Sequence, residues 1–250
     1  MTLASCDSRK TAGENPFFTE WDTPHGVPPF DKILPEHFMP AFERGMSLHE
    51  AEIDAITSNK DEATFENTIL AYDNAGQMLA QTELVFGMLC AAETNDRMQA
   101  LQEQAMPLLA AHRDKIRLDD KLFVRVKEVY DRRAALGLDA EQMRLLQKTY
   151  DSFVRAGALL DAEQKARLKE INGQLSLTAV KFGNNILAEN NNFVLELKSD
   201  ELDGLPAGIR DAAREKAQQM GKGDKWVFTL HKPSLIPLLT YSTRRDLREK

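Results

Sequence analysis

Cysteine is almost absent from this chain: two in 250 residues, Cys6 and Cys90. Two thiols cannot build a disulfide framework for a chain of this size, and neither sits in a C-x-x-C pair of the metal-binding kind. Long apolar runs are missing as well. The longest, Leu84 to Ala92, has nine residues, about half of the roughly 20 that a bilayer-spanning helix needs, so no transmembrane helix is expected. Positive charge is not in excess: 32 Lys and Arg face 39 Asp and Glu, for a net charge of -7. The cations form no stripe, which excludes the electrostatic footprint of a nucleic-acid binder. With 13 Gly and 10 Pro, collagenous and low-complexity readings fail too.

Catalytic spacings are equally scarce. A helical zinc-protease site needs two His at i and i+4 on one face, with a Glu beside the first as general base. None of His25, His37, His49, His112 and His231 has another His within four positions. The segment His49-Glu50-Ala51-Glu52-Ile53 starts like such a site and puts Ile53 where the second ligand belongs, so it reads as an ordinary helix surface. Gly45-Met46-Ser47-Leu48-His49 lacks the closing Gly of a nucleophile elbow. Gly221-Lys222-Gly223 opens like a dinucleotide fingerprint but has Trp226 where the third Gly is required, and reads as a turn. No carboxylate pair stands out as acid and base. The residues themselves thus nominate no catalytic, cofactor-binding or metal-ligating position.

What is present is helical periodicity. A composition of 42% hydrophobic and 28% charged residues is that of a globular protein. Thr64 is a candidate N-cap for a helix whose inward stripe is Phe65, Ile69, Tyr72, Leu79, Phe86 and Cys90, at 3/4 spacing. A second helix starts at Asn95, with Met98, Leu101, Leu108, His112 and Ile116 inward and Pro107 as a kink. His112 reads as a hydrogen-bonded core histidine and Cys90 as a small buried hydrophobe. Asp119 caps a helix running through Val126 and Tyr130 that Gly137 stops. Asp139-Ala140-Glu141-Gln142 and Asp161-Ala162-Glu163-Gln164 are the same capping-box start used twice. Met143, Leu146, Tyr150, Phe153 and Leu160 line the helix after the first. Leu168, Ile171, Leu175, Phe182 and Ile186 line the helix after the second, and each stripe needs a partner to cover it. The period then changes. Phe193–Leu197 and Trp226–Leu230 read as a small two-stranded β element within residues 193–230, separated by the Asp203-Gly204 turn and a polar helix from about Gly208 to Met220. Pro233–Leu239 and Ser242–Lys250 read as helix again. The chain stops on Arg244-Arg245-Asp246-Leu247-Arg248-Glu249-Lys250 without a helix-stop signal, and is expected to be a fragment.

At the other end, Leu3-Ala4-Ser5-Cys6 resembles the lipobox of a bacterial lipoprotein, which makes Cys6 the candidate lipidation site. Only Met1 and Thr2 precede it, without the n- and h-regions of a signal peptide, so Met1 reads as an internal methionine of a longer gene. Asp7 to Glu14 is polar and suits a flexible tether. Residues 1–14 are therefore expected to be a lipobox-like start and tether, and residues 15–250 a helical lobe. The expected location is the cell envelope, lipid-anchored, the membrane being touched through that lipid alone. A stray Cys and a cytoplasmic protein are the alternative.

Taken in order, several short motifs say more than any one of them. They are Asn15-Pro16-Phe17, Pro35-Glu36-His37-Phe38 with Pro40-Ala41-Phe42, Thr64-Phe65-Glu66-Asn67-Thr68-Ile69, and Thr94-Asn95-Asp96. Leu122-Phe123-Val124-Arg125-Val126, Phe153-Val154-Arg155-Ala156-Gly157-Ala158 and Arg245-Asp246-Leu247-Arg248-Glu249-Lys250 complete the series. Together they resemble the thimet oligopeptidase family of zinc metallopeptidases, most of all its bacterial peptidyl-dipeptidase branch. The resemblance implies a nearly all-helical, two-lobed peptidase with a deep channel that admits short unstructured peptides, one zinc at its floor, and release of C-terminal dipeptides. It also implies that the zinc ligands lie in a second half absent from this sequence. What is present resembles the N-terminal lobe that walls the channel, its partner being the missing C-terminal catalytic lobe. The alternatives are an oligopeptidase of the same family that cuts internally, or a non-catalytic helical lipoprotein that binds a partner.

Overall fold

The computed structural model describes residues 15–250; the tether expected for residues 1–14, with Cys6, lies outside the described residues. The fold is mainly α with one two-stranded antiparallel sheet, as expected. No helix among the described residues is long and apolar enough to cross a membrane. The chain forms two compact bodies that divide between Val180 and Lys181.

In the first body, helix α1 (Phe38–Ser58) follows a 3-10 turn at Pro35–His37, where proline's fixed φ and missing N–H suit a helix start. Its two ends serve different cores. Phe38 and Phe42 join Phe17, Phe86 and Leu109 in one cluster, whereas Ile53 and Ile56 join Ile69, Leu122, Val126, Leu146 and Phe153 in the other. Aromatic packing fixes the first: the Phe38 and Phe86 rings meet edge to face at 4.9 Å, as do Phe42 and Phe86 at 5.3 Å, the geometry that ring quadrupoles favour.

The helix expected from Thr64 to Cys90 starts where predicted but is not one helix. A π-helical turn (Phe65–Leu70) and the short α2 (Ala71–Asp73) end at a break, and α3 (Gln77–Ala92) begins after Gly76. Gly76 has φ of 76°, a left-handed conformation cheap for glycine alone. Its N–H donates to the Glu52 carboxylate at 2.7 Å. A Cβ there would lie 2.9 Å from His49 Nδ1. The break turns the predicted stripe into two, with Phe65 and Ile69 facing one core and Leu79 and Phe86 the other. Cys90 is only half-buried, at the edge of the second.

Helix α4 (Asp96–Arg117) is capped by Asn95, whose side chain accepts from the Met98 N–H, and it contains Pro107. Its buried face is Met98, Ala105, Leu109, His112 and Ile116, while Leu108 is 46% exposed. Leu108, expected inward, sits one residue and hence about 100° off that stripe. Helix α5 (Asp120–Asp131) has its predicted Asp119 cap, accepting from Leu122 N–H at 2.8 Å. Helices α6 (Ala140–Arg155) and α7 (Ala162–Asn192) both open on complete capping boxes. Gly157, at φ 97°, follows the end of α6, so Leu160 lies in the following turn and is exposed instead of lining the helix. On α7, Ile171 and Leu175 in the first body and Phe182 and Ile186 in the second are all exposed, Phe182 at 66%.

The second body pairs β1 (Leu195–Leu197) with β2 (Trp226–Phe228), antiparallel, with Leu195 opposite Phe228 and Leu197 opposite Trp226. Both lie inside the predicted runs and are shorter than them. Helix α8 (Ala207–Gln219) lies in sequence between the strands, and α9 (Lys232–Tyr241) follows β2. Leu197, Leu205, Ala213, Phe228, Leu238 and Leu247 form the core. The final helix is shorter than expected: only α10 (Arg245–Arg248) forms. Ser242 is extended, and Thr243 is tied by its N–H and hydroxyl to Asp203. That tie needs the predicted Asp203-Gly204 turn, where Gly204 has φ of 81° and a Cβ would strike the Tyr241 carbonyl.

Candidate functional site

Most of the ordered motifs turn out to be joints between segments distant in sequence. Asn15 donates from its side-chain amide to the His37 carbonyl at 2.8 Å, and Phe17 packs on Phe38. His37 is further fixed by accepting from the Leu34 N–H at its Nδ1, so this imidazole holds a turn. A second joint centres on Asn67. Its Oδ1 accepts from the Thr64 N–H, the Thr68 hydroxyl and Arg125, while its amide donates to the Glu62 carbonyl. Arg125 is buried and also donates to the carbonyls of Asn59 and Asp61 at 3.0 and 3.1 Å. A guanidinium this enclosed is tolerable because fixed carbonyl and amide oxygens replace its water.

One cluster of titratable side chains was not visible in sequence. His49 on α1 and His112 on α4, 63 residues apart, are hydrogen-bonded between His49 Nδ1 and His112 Nε2 at 3.1 Å. On the far side of His112, Nδ1 lies 3.5 Å from Glu50 Oε1, and Glu50 is paired with Lys115 at 2.8 Å. A bare nitrogen facing that carboxylate would be repelled. The proton is therefore assigned to His112 Nδ1, leaving Nε2 to accept from His49 Nδ1–H. Burial is the main cause that holds the pKa of both imidazoles below the ordinary value; His112 adds to the lowering at His49, while Glu50 opposes it at His112. Both rings are consequently neutral at pH 7. The expectation of a hydrogen-bonded core His112 holds. His49, read as plain helix surface, is its partner, and only contact between α1 and α4 could reveal that.

Chemically the pair holds a proton and does little else. Neither imidazole is hydrogen-bonded to a hydroxyl or thiol among the described residues, so the nucleophile-base arrangement is missing. Nor does any group of three or more His, Cys, Asp or Glu among the described residues stand in an arrangement that could hold a metal, and a catalytic zinc takes three protein ligands. The described residues do not fit one.

Concave surface among the described residues includes three larger clefts. His112, Leu108 and Glu50 line an open cleft of about 410 Å³ between α1 and α4. A cleft of about 430 Å³ lies where α4, the end of α6 and α7 meet, lined by Arg113, Arg117, Arg155, Asp114, Asn172, Leu168 and Leu175. In the second body, Ile209, Val227, Phe228 and Pro233 contribute to a mostly apolar pocket of about 250 Å³.

Fold and clefts together define a mainly helical protein with concave surfaces between its helices. Comparison with known proteins adds what the chain is similar to. No protein-family profile matches the chain, but single proteins do. It is 37% identical over 237 residues to a dipeptidyl carboxypeptidase of Escherichia coli (strain K12), covering 94% of this chain and 35% of that one. To a dipeptidyl carboxypeptidase of Salmonella typhimurium it is 35% identical over 238 residues, or 93% of this chain and 35% of that one. To oligopeptidase A of Escherichia coli it is 25% identical over 229 residues, or 91% and 34%. Over nearly its whole length the chain is thus similar to peptidases of these two names. It spans about a third of the length of these relatives.

Proposed function

We propose that this chain is the helical N-terminal lobe of a metallopeptidase that releases dipeptides from the C-termini of short, unstructured peptides. The observation that carries the reading is the graded similarity: 37% identity to a dipeptidyl carboxypeptidase against 25% to an oligopeptidase A, over nearly the same stretch of this chain. The role assigned to the lobe is to wall a substrate channel and exclude folded proteins, so that rate comes from positioning a peptide. The exposed apolar side chains of α7 support an occupant beyond the described residues, and the reading assigns that place to a C-terminal catalytic lobe. The zinc of the family would take its ligands there. Cys6 is proposed as a lipid anchor holding the protein in the cell envelope; the lipobox-like Leu3-Ala4-Ser5-Cys6 supports this.

The test uses the product of the whole reading frame that contains this chain. With a short N-terminally blocked peptide, dipeptides should appear from the C-terminus, and a chelator should stop the release. Internal cleavage without dipeptide release would replace the reading by an oligopeptidase. A native frame that stops at Lys250 would replace it by a binding module.

A further inference from the structure

In a chain with seven more acidic than basic side chains, many exposed guanidiniums find a carboxylate: Arg97 pairs with Glu36, Arg132 with Glu62, Arg167 with Glu170 and Arg244 with Asp246. The cleft between α4, the end of α6 and α7 gathers three that have none. Arg113, Arg117 and Arg155 all line it, and none has an ion-pair partner among the described residues. Arg113 and Arg117 stand one helical turn apart on α4 and share a face. Arg155 joins them from the last turn of α6. Arg113 is held by its own Nε, which donates to the Leu109 carbonyl at 3.2 Å, so its terminal nitrogens stay available. The acid on the cleft wall, Asp114, is already engaged, accepting from the Asn172 amide at 2.8 Å. Part of this positive charge offsets the carbonyl ends of α4 and α6. A helix end carries only about half a charge, so three guanidiniums against two helix ends and one carboxylate leave the cleft cationic. Leu175 gives it an apolar wall.

We propose that this cleft binds a carboxylate-bearing segment of a peptide. Guanidiniums present paired N–H donors in the geometry that a carboxylate accepts, and a volume of about 430 Å³ holds a few residues of extended chain beside the apolar wall. The choice of a peptide as the ligand rests on the peptidase reading; the selection for negative charge rests on the arginines alone. The site therefore gives the protein a preference for acidic peptides.

The test is fluorescence anisotropy of the 250-residue chain with a labelled hexapeptide containing three Glu, and with its Gln counterpart. The Glu peptide should bind about tenfold more tightly at low salt, and the difference should vanish in about 0.5 M salt. Arg113→Gln and Arg155→Gln should each weaken the Glu peptide about threefold without changing the Gln peptide, and Arg155→Lys should restore part of the loss. Equal binding of the two peptides, or arginine variants of unchanged helix content that bind as tightly as wild type, overturns the proposal. Acidic-peptide binding that is lost in the longer gene product identifies the occupant as an acidic segment of that product and overturns a peptide from solution. Failure of the longer product to cleave any peptide counts against the peptidase reading and leaves the Glu/Gln comparison to decide this one.

Discussion

At the scale of single residues, the side chains that matter are those whose polar atoms have nowhere else to go. Arg125 is the clearest, since removing its guanidinium takes the side-chain donor from the carbonyls of Asn59 and Asp61 and one of three donors from the Asn67 amide oxygen. Arg125→Met should therefore cost about 3 kcal/mol in urea unfolding, because breaking a buried charged hydrogen-bond set strands its partners. A loss below about 1 kcal/mol would show that water replaces the arginine there. The imidazole pair makes a prediction with a definite sign. Both folded-state pKa values lie below the ordinary 6.5, so the unfolded chain takes up protons that the folded chain resists. Stability from this source is complete above about pH 6.5, falls as the pH drops below it, and levels off once the folded pKa values are passed. The urea midpoint should thus decline between pH 7 and pH 5, and His49→Gln, which keeps a hydrogen-bonding amide beside His112, should flatten the decline. A variant with the same pH slope as wild type would place the acid sensitivity elsewhere.

Elements show how much the sequence discloses and where it stops. The caps Thr64, Asn95, Asp119, Asp139 and Asp161 were all readable, because each uses a local hydrogen bond to a residue three places on. Asp139→Ala and Asp161→Ala should each cost about 1 kcal/mol, measured by thermal or urea unfolding; no change in either would mean that the boxes are ornamental to stability. The strands were placed by their β-branched and aromatic runs. The break at Gly76 was not readable, because what holds it is Glu52 on another helix. A periodicity of 3.6 continues through a three-residue interruption with little phase error, so the apolar stripe seemed unbroken. Gly76→Ala tests the point: the left-handed φ and the His49 ring both oppose a Cβ, and a loss of about 1 to 3 kcal/mol is expected. The Thr64–Ile69 and Leu122–Val126 motifs were visible as patterns. That Asn67 and Arg125 join them required the packing of α5 against that turn.

For the whole molecule the decisive fact is apolar surface without cover. Ile171, Leu175, Phe182 and Ile186 carry the helical spacing of an inward stripe, yet they are exposed, Leu175 and Phe182 at 62% and 66%. Large apolar side chains at that spacing are ordinarily buried, and their exposure, in each body by itself, marks positions that meet something else. The 250-residue chain should consequently bind a hydrophobic dye and associate as its concentration rises, while its circular dichroism stays helical. Phe182→Glu should reduce dye binding and association and leave helix content intact, since this side chain belongs to no core. In the product of the whole reading frame the same substitution should act in the opposite sense. If this position is covered there, burying an unpaired carboxylate should lower stability by several kcal/mol. A Glu variant that behaves alike in both proteins, as soluble and as stable as its parent, would mean that this position faces water throughout and that the lobe reading has lost its main physical support.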